Sequence, residues 1–160
     1  ADPKITEDVA DMRRRMARER PARSRWDVKF AAGGLVDIEF VIQHAILMSA
    51  ADVPGAVIPT SMDAIKAIAA AGRLAPGEAA MLADGLTFQL NLQQALRIAS
   101  GDRFDPDHAS AGLKTWLANH LALKDFSALD VRLQAIQSSV AQLRTRKLGS
   151  LTTEAGPSPV

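Results

Sequence analysis

A lysine, two adjacent glycines, two carboxylates and an amide fall within a short apolar stretch: Lys29, Gly33-Gly34, Asp37, Glu39 and Gln43. A lysine ammonium can neutralise a phosphate. Glycines let a backbone approach one closely, and the N-terminus of a helix offers free amides and the positive end of the dipole. The pattern is nevertheless incomplete, because no GxGxxG follows a full strand and no lysine follows the glycines as in a Walker loop. Asp37 also falls in the first turn of the expected helix, where it stabilises the dipole but repels a bound anion. An anion site and a tight turn with an acidic helix start are both open on these residues.

Asp37 and Glu39 are two residues apart, so a helix points them about 200° away from each other. They cannot clamp one metal ion from this helix alone. Glu39 and Gln43 are four apart and share a face. Ile38, Phe40, Val41, Ile42, Ile46 and Leu47 make the helix apolar nearly all round, which predicts a central position. Glu39 is then expected to be buried and to need a partner. Arg97 is the candidate, with Gln89, Gln93 and Gln94 near it in sequence. A structural Glu39–Arg97 pair that fixes helix register and a catalytic role for Glu39 both fit.

Arg13, Arg14, Arg15, Arg18, Arg20, Arg23, Arg25 and Lys29 make the N-terminal segment basic. A solvated helix face, a contact with a triphosphate or acidic partner, and nucleic-acid binding are the readings, in that order. Against nucleic acid, only Trp26 interleaves the arginines, and Glu19 and Asp27 interrupt them. The net charge of +1 gives no bulk attraction to nucleic acid or an acidic membrane. His44, His108 and His120 have no second ligand at metal spacing, and His44 reads as a core histidine. With no cysteine, thiolate metal sites and thiol nucleophiles are excluded. The five methionines read as packing residues.

The elements that must position these groups are helical. Hydrophobic residues make up 48% and aromatics 4% of 160 residues, with no tyrosine, which favours helix over sheet in one domain of ordinary size. A helix is predicted over 5–20, capped by Thr6, with Ile5, Val9, Met12 and Met16 as its apolar stripe. Residues 26–30 are predicted to be extended, and Gly33-Gly34 breaks the chain before a helix from Leu35 to Ala50. Further helices are predicted over 61–71, 76–100, 108–122 and from the Asp125 cap to Lys147. A loop over 52–59 and a disordered tail over 148–160 complete the chain. The fold class is all-α, a bundle of about six helices with a short extended segment. No apolar run is long enough to span a bilayer and no signal peptide opens the chain, so a bacterial cytoplasmic location is expected.

Met12-Arg13, Arg15-Met16, Glu19-Arg20, Trp26-Asp27-Val28-Lys29 and Gly33-Gly34-Leu35-Val36-Asp37-Ile38-Glu39-Phe40 with Gln43 together resemble the glutamine synthetase adenylyltransferase family. The likeness continues more loosely through Thr60, Gly72-Arg73-Leu74, Leu92, Leu96 and Arg97, and residues 26–43 are its most specific part. Members of this family carry two nucleotidyltransferase halves. One attaches AMP from ATP to a tyrosine of glutamine synthetase, and the other removes it by phosphorolysis. Each half has a polymerase-β-like core followed by a helical domain, with the lysine, glycine and Asp/Glu-Ile-Glu-Phe motif at the junction. The Leu35-Val36-Asp37-Ile38-Glu39-Phe40 version is similar to the C-terminal, adenylylating copy. The other copy more often reads Ile-Arg-Glu-Ile-Glu-Phe. Many members have glycine where Ala31 stands, so this loop is less suited to close phosphate contact.

The resemblance implies that residues 1–147 are a helical domain C-terminal to a missing core, with the tail as a natural C-terminus. Nothing in this sequence reads as the family's Gly-Ser turn followed by its Asp-x-Asp pair, which together hold magnesium and the triphosphate. ATP and Mg2+ are therefore expected of the full enzyme and neither of the fragment, which should be inactive alone and hold no catalytic or metal-ligating residue. Lys29, Gly33 and Gly34 are the implied nucleotide or phosphate contacts. Asp37 and Glu39 are supporting candidates with Lys29, and Glu39, Gln43 and Arg97 would back that edge from behind. The implied partners are glutamine synthetase, a PII signalling protein and the enzyme's other domains, with neither nucleic acid nor membrane. The alternative is a non-catalytic interaction module, such as the helical part of a related PII uridylyltransferase.

Overall fold

The computed structural model describes residues 3–49, 60–101 and 103–149. Six helices follow one another: α1 (Pro3–Glu19), α2 (Leu35–Ser49), α3 (Ser61–Ala70), α4 (Pro76–Ser100), α5 (Ala111–His120) and α6 (Phe126–Leu148). No strand occurs among the described residues, so the architecture is an all-α bundle. No described helix is long and apolar enough to cross a membrane. The predicted loop over 52–59 lies outside the described residues, as does the tail beyond Gly149.

The starts and stops follow local chemistry. Thr60, Ser110 and Asp125 cap α3, α5 and α6, each accepting from the backbone amide three residues on. Pro76 occupies the first turn of α4, and the Glu78 carboxylate accepts from the Ala75 amide. Gly101 and Gly149 end α4 and α6 with positive φ.

α2 is the central helix, packed against α1, α3, α4 and α6. Ile38, Leu82, Leu92, Leu117, Leu129, Leu133, Val140 and Leu143 are inaccessible and form the main core. A second, smaller cluster joins Val9, Ala10 and Leu148, with Ile5 and Phe40 against it. This cluster fastens α1 to the rest of the bundle.

Three local expectations are corrected. α1 begins at Pro3, so Thr6 lies inside it, and its hydroxyl meets the His44 ring at 2.8 Å instead of capping the helix. The buried face of α1 is Val9, Ala10 and Arg13, while Met12 of the predicted stripe is 62% exposed. The stripe is rotated because Arg13 is drawn inward by a buried carboxylate. Residues 26–30, predicted to be extended, form a run of turns. There the Phe30 and Ala31 amides both donate to the Asp27 carbonyl, closing the backbone up.

Candidate functional site

The turn into α2 is built from its own backbone outward. Gly34 N donates to Ala31 O, Leu35 N to Val28 O and Val36 N to Lys29 O, at 2.8, 3.0 and 3.1 Å. Gly33 N donates to Asp37 Oδ2 at 2.7 Å. The amides that would have faced a phosphate are thus already bonded within the chain. The glycines serve packing instead. Gly33 has φ +76°, and a Cβ there would stand 1.8 Å from the Gln137 carbonyl oxygen of α6. At Gly34 a Cβ would meet the Val28 carbonyl oxygen at 2.4 Å. The pair lets the turn lie directly on α6, and the Gln89 side-chain amide of α4 clamps it by donating to Gly33 O at 3.0 Å.

Asp37 is the hub. Its carboxylate is inaccessible and joins four parts of the chain. Oδ1 accepts from Arg13 Nε of α1 at 2.7 Å, Oδ2 accepts from the Gly33 amide, and Arg144 Nε of α6 stands 3.5 Å from Oδ2. Arg144 also donates through Nη1 to Gly149 O. Burial lowers the Arg144 pKa from the usual guanidinium range, the Asp37 charge opposes that, and Arg13 reinforces it. A buried carboxylate between two guanidiniums positions helices and has no open side for a substrate.

Glu39 does not take the buried place expected of it. Asp37 is buried and paired, whereas Glu39 and Gln43 are exposed. Arg97 is exposed as well, and the expected Glu39–Arg97 pair does not form among the described residues. Glu39 escapes burial because α2 turns Ile38, Val41, Ile42 and Ala45 into the core and leaves position 39 outward. His44 is a buried histidine, as expected, bonded to Thr6. Burial, then the nearby Lys147 charge, lower its pKa. His108 is a loop residue that meets Asp105 at 2.6 Å, and His120 ends α5, stacked on Trp116.

Lys29 has a different setting. It is exposed, its Nζ 5.3 Å from the Phe30 ring centroid. It lines an open cleft of about 940 Å³ with Arg20, Arg23, Arg97, Arg103 and Phe30. The wall is held by Trp26, which stacks on Phe126 at 5.1 Å and meets Phe104 edge-on at 5.0 Å. Gln137 Nε2 donates to Arg25 O at 2.8 Å and ties the same segment to α6. The structure thus brings Lys29 and Arg97 to one cleft and separates both from Asp37, Glu39 and Gln43. Among the described residues no three His, Asp or Glu side chains stand together as a cation site. With Asp37 committed to two arginines, the residues described here do not fit Mg2+.

Sequence reasoning leaves Arg144 and Gln137 unnamed, and it assigns Arg13 to the basic segment and Gln89 to the neighbourhood of Arg97. Arg13 had a signal, since it stands four residues after Val9 on the same helical face. The others are distant in sequence and had none.

Residues 4–147 match the model of the GlnD PII-uridylyltransferase family. The chain belongs to that family. It is also similar to proteins named bifunctional glutamine synthetase adenylyltransferase/adenylyl-removing enzyme. The one from Bradyrhizobium sp. (strain BTAi1) is 39% identical over 90% of this chain. Those from Rhodopseudomonas palustris (strain CGA009) and Xanthobacter autotrophicus (strain Py2) are each 34% identical, over 91% and 92% of it. The chain spans 15% of the length of each of these relatives. No solved structure matches it. The family match runs through the Asp37 hub, the glycine turn and the Lys29 cleft together.

Proposed function

We infer that this chain is the helical region of a bifunctional glutamine synthetase adenylyltransferase, following a nucleotidyltransferase core. The similarity to enzymes of that name over about nine-tenths of the chain carries the reading. In the whole enzyme, AMP passes from ATP to a tyrosine of glutamine synthetase, and the other half removes it by phosphorolysis. The carboxylates that would hold Mg2+ belong to the core.

This chain's own contribution is Lys29. Its ammonium stands at the active-site edge and meets a phosphate or the acidic target by charge. The Gly33-Gly34 turn supports it by fixing the backbone beneath it, since Lys29 O accepts from Val36 N. Asp37 holds that turn onto α1 and α6 from behind. Glu39 and Gln43 lie on the exposed surface of α2, open to glutamine synthetase, a PII protein or the enzyme's other domains. The chain alone is inactive, and the enzyme works in the cytoplasm.

The family's name favours a second reading, the helical part of a PII uridylyltransferase. Incubating the full-length protein that carries this chain with α-labelled ATP or UTP and both acceptor proteins separates the two. Label from ATP on glutamine synthetase is expected. Label from UTP on PII, with none from ATP on glutamine synthetase, selects the second reading.

A further inference from the structure

We propose that the cleft between residues 20–30 and the C-terminal end of α4 is a polyphosphate-binding site in which Arg97 and Arg103 hold the phosphate chain. This deepens the reading of Lys29 given above and rests on it for the link to nucleotidyl transfer.

The cleft gathers cations from separate parts of the chain. Arg20 and Arg23 come from the exit of α1, Lys29 from the turn, Arg97 from the last turn of α4, and Arg103 from the loop after it. Arg23, Lys29, Arg97 and Arg103 have no ion pair among the described residues. Several cations elsewhere do have one: Arg25 with Asp130, Arg132 with Asp84, and Arg146 and Lys147 with Glu78. Unpaired like charges converging on one concavity repel each other, and a multivalent anion relieves that cost.

Among the described residues the cleft's carboxylates are fewer than its cations and partly engaged. Asp105 is bonded to His108 and accepts from the Asp107 amide, and Asp27 Oδ1 lies 3.4 Å from the Phe30 amide of its own turn. Asp27, Asp105 and Asp107 stand at the lining and oppose any polyanion, so it is the convergence of five cations from separate segments that favours a compact, highly charged anion. The cleft volume of about 940 Å³ is ample for a triphosphate. Guanidiniums present paired donors that suit phosphate oxygens, and their unlike origins let them reach successive phosphates from different sides. Arg97 therefore changes role, from support for Glu39 to a ligand-facing residue.

Calorimetric titration of the 160-residue chain with inorganic tripolyphosphate at low salt tests the proposal directly. Saturable binding is expected, weakened by added salt. Arg97→Ala and Arg103→Ala should each weaken it by about tenfold, while Arg132→Ala, on a surface pair, should not. Both arginines are exposed, so a circular dichroism spectrum matching the wild type is expected and confirms folding. ATP should bind at least as well as tripolyphosphate, which shows that the phosphate chain is what is recognised. No binding by the wild-type chain, unchanged affinity in both arginine variants, or AMP binding as tightly as tripolyphosphate would overturn the proposal. Turnover of the full-length Lys29→Ala enzyme is a separate readout. Unchanged turnover there with lost binding in Arg97→Ala removes the Lys29 role and keeps this site.

Discussion

Arg13 Nε donates to Asp37 Oδ1 at 2.7 Å, although the two residues are 24 positions apart and their side chains are 1% and 0% exposed. That bond turns a motif carboxylate into a structural joint. It explains why α1 presents an arginine to the core and why the glycine turn keeps its shape.

Asp37→Asn should be strongly destabilising. It leaves the Arg13 and Arg144 guanidiniums buried without an anion, and the expected loss is about 3–5 kcal/mol. Glu39→Gln, two residues on and exposed, should stay within about 0.5 kcal/mol of the wild type. Urea denaturation of the two variants checks this. Equal stability of the two would mean that Asp37 is not the joint described.

Gly33→Ala and Gly72→Ala separate packing from backbone conformation. Both glycines have positive φ, at +76° and +69°. A Cβ at Gly72 meets nothing within 4 Å, so only the left-handed conformation opposes it, at about 1–2 kcal/mol. At Gly33 the Cβ would also overlap the Gln137 carbonyl, so the turn must lift off α6 and the loss should be clearly larger. Thermal melting of the two variants should rank them in that order, and the reverse order would contradict the packing role.

The fold was legible in the sequence because its signals are local. Pro76, Asp125, Thr60 and the glycine stops act within a few residues, and all five of the later helices fall where capping and periodicity predict, within a few residues at their ends. The site was less legible. A short-range rule correctly says that Asp37 and Glu39 point apart, but which one faces inward depends on α1 and α6. Arg144 lies 107 residues beyond Asp37, and nothing near either residue announces the other. The apolar surroundings of Glu39 suggested burial, yet even a central helix keeps one strip exposed. Periodicity in α1 points to Met12 where the core takes Arg13, because an arginine satisfied by a distant carboxylate occupies a core position.

His44 should make stability depend on pH. Burial first, then Lys147, lower its pKa in the folded protein from 6.5, so the folded state prefers the neutral ring. The stabilising effect is fully present above 6.5 and is lost as pH falls from there through the folded value. Denaturation of the wild type and His44→Asn should show the wild type losing stability relative to the variant as the solution is acidified through that window. The Asp105 and Glu78 pKa values are lowered too, from 3.8 and 4.5, so their losses come at lower pH. The His108 pKa is raised, which acts in the opposite direction, and His108→Ala in both backgrounds removes it from the comparison.

Lys29, held by the turn and open to the cleft, is proposed to work at the edge of a nucleotidyltransferase active site. The most direct measurement is single-turnover transfer of AMP from ATP to glutamine synthetase by the full-length Lys29→Ala enzyme. The expected result is a loss of about tenfold or more at an unchanged melting temperature, since one charge-assisted contact to the reacting phosphates is removed. Transfer at the wild-type rate would contradict it.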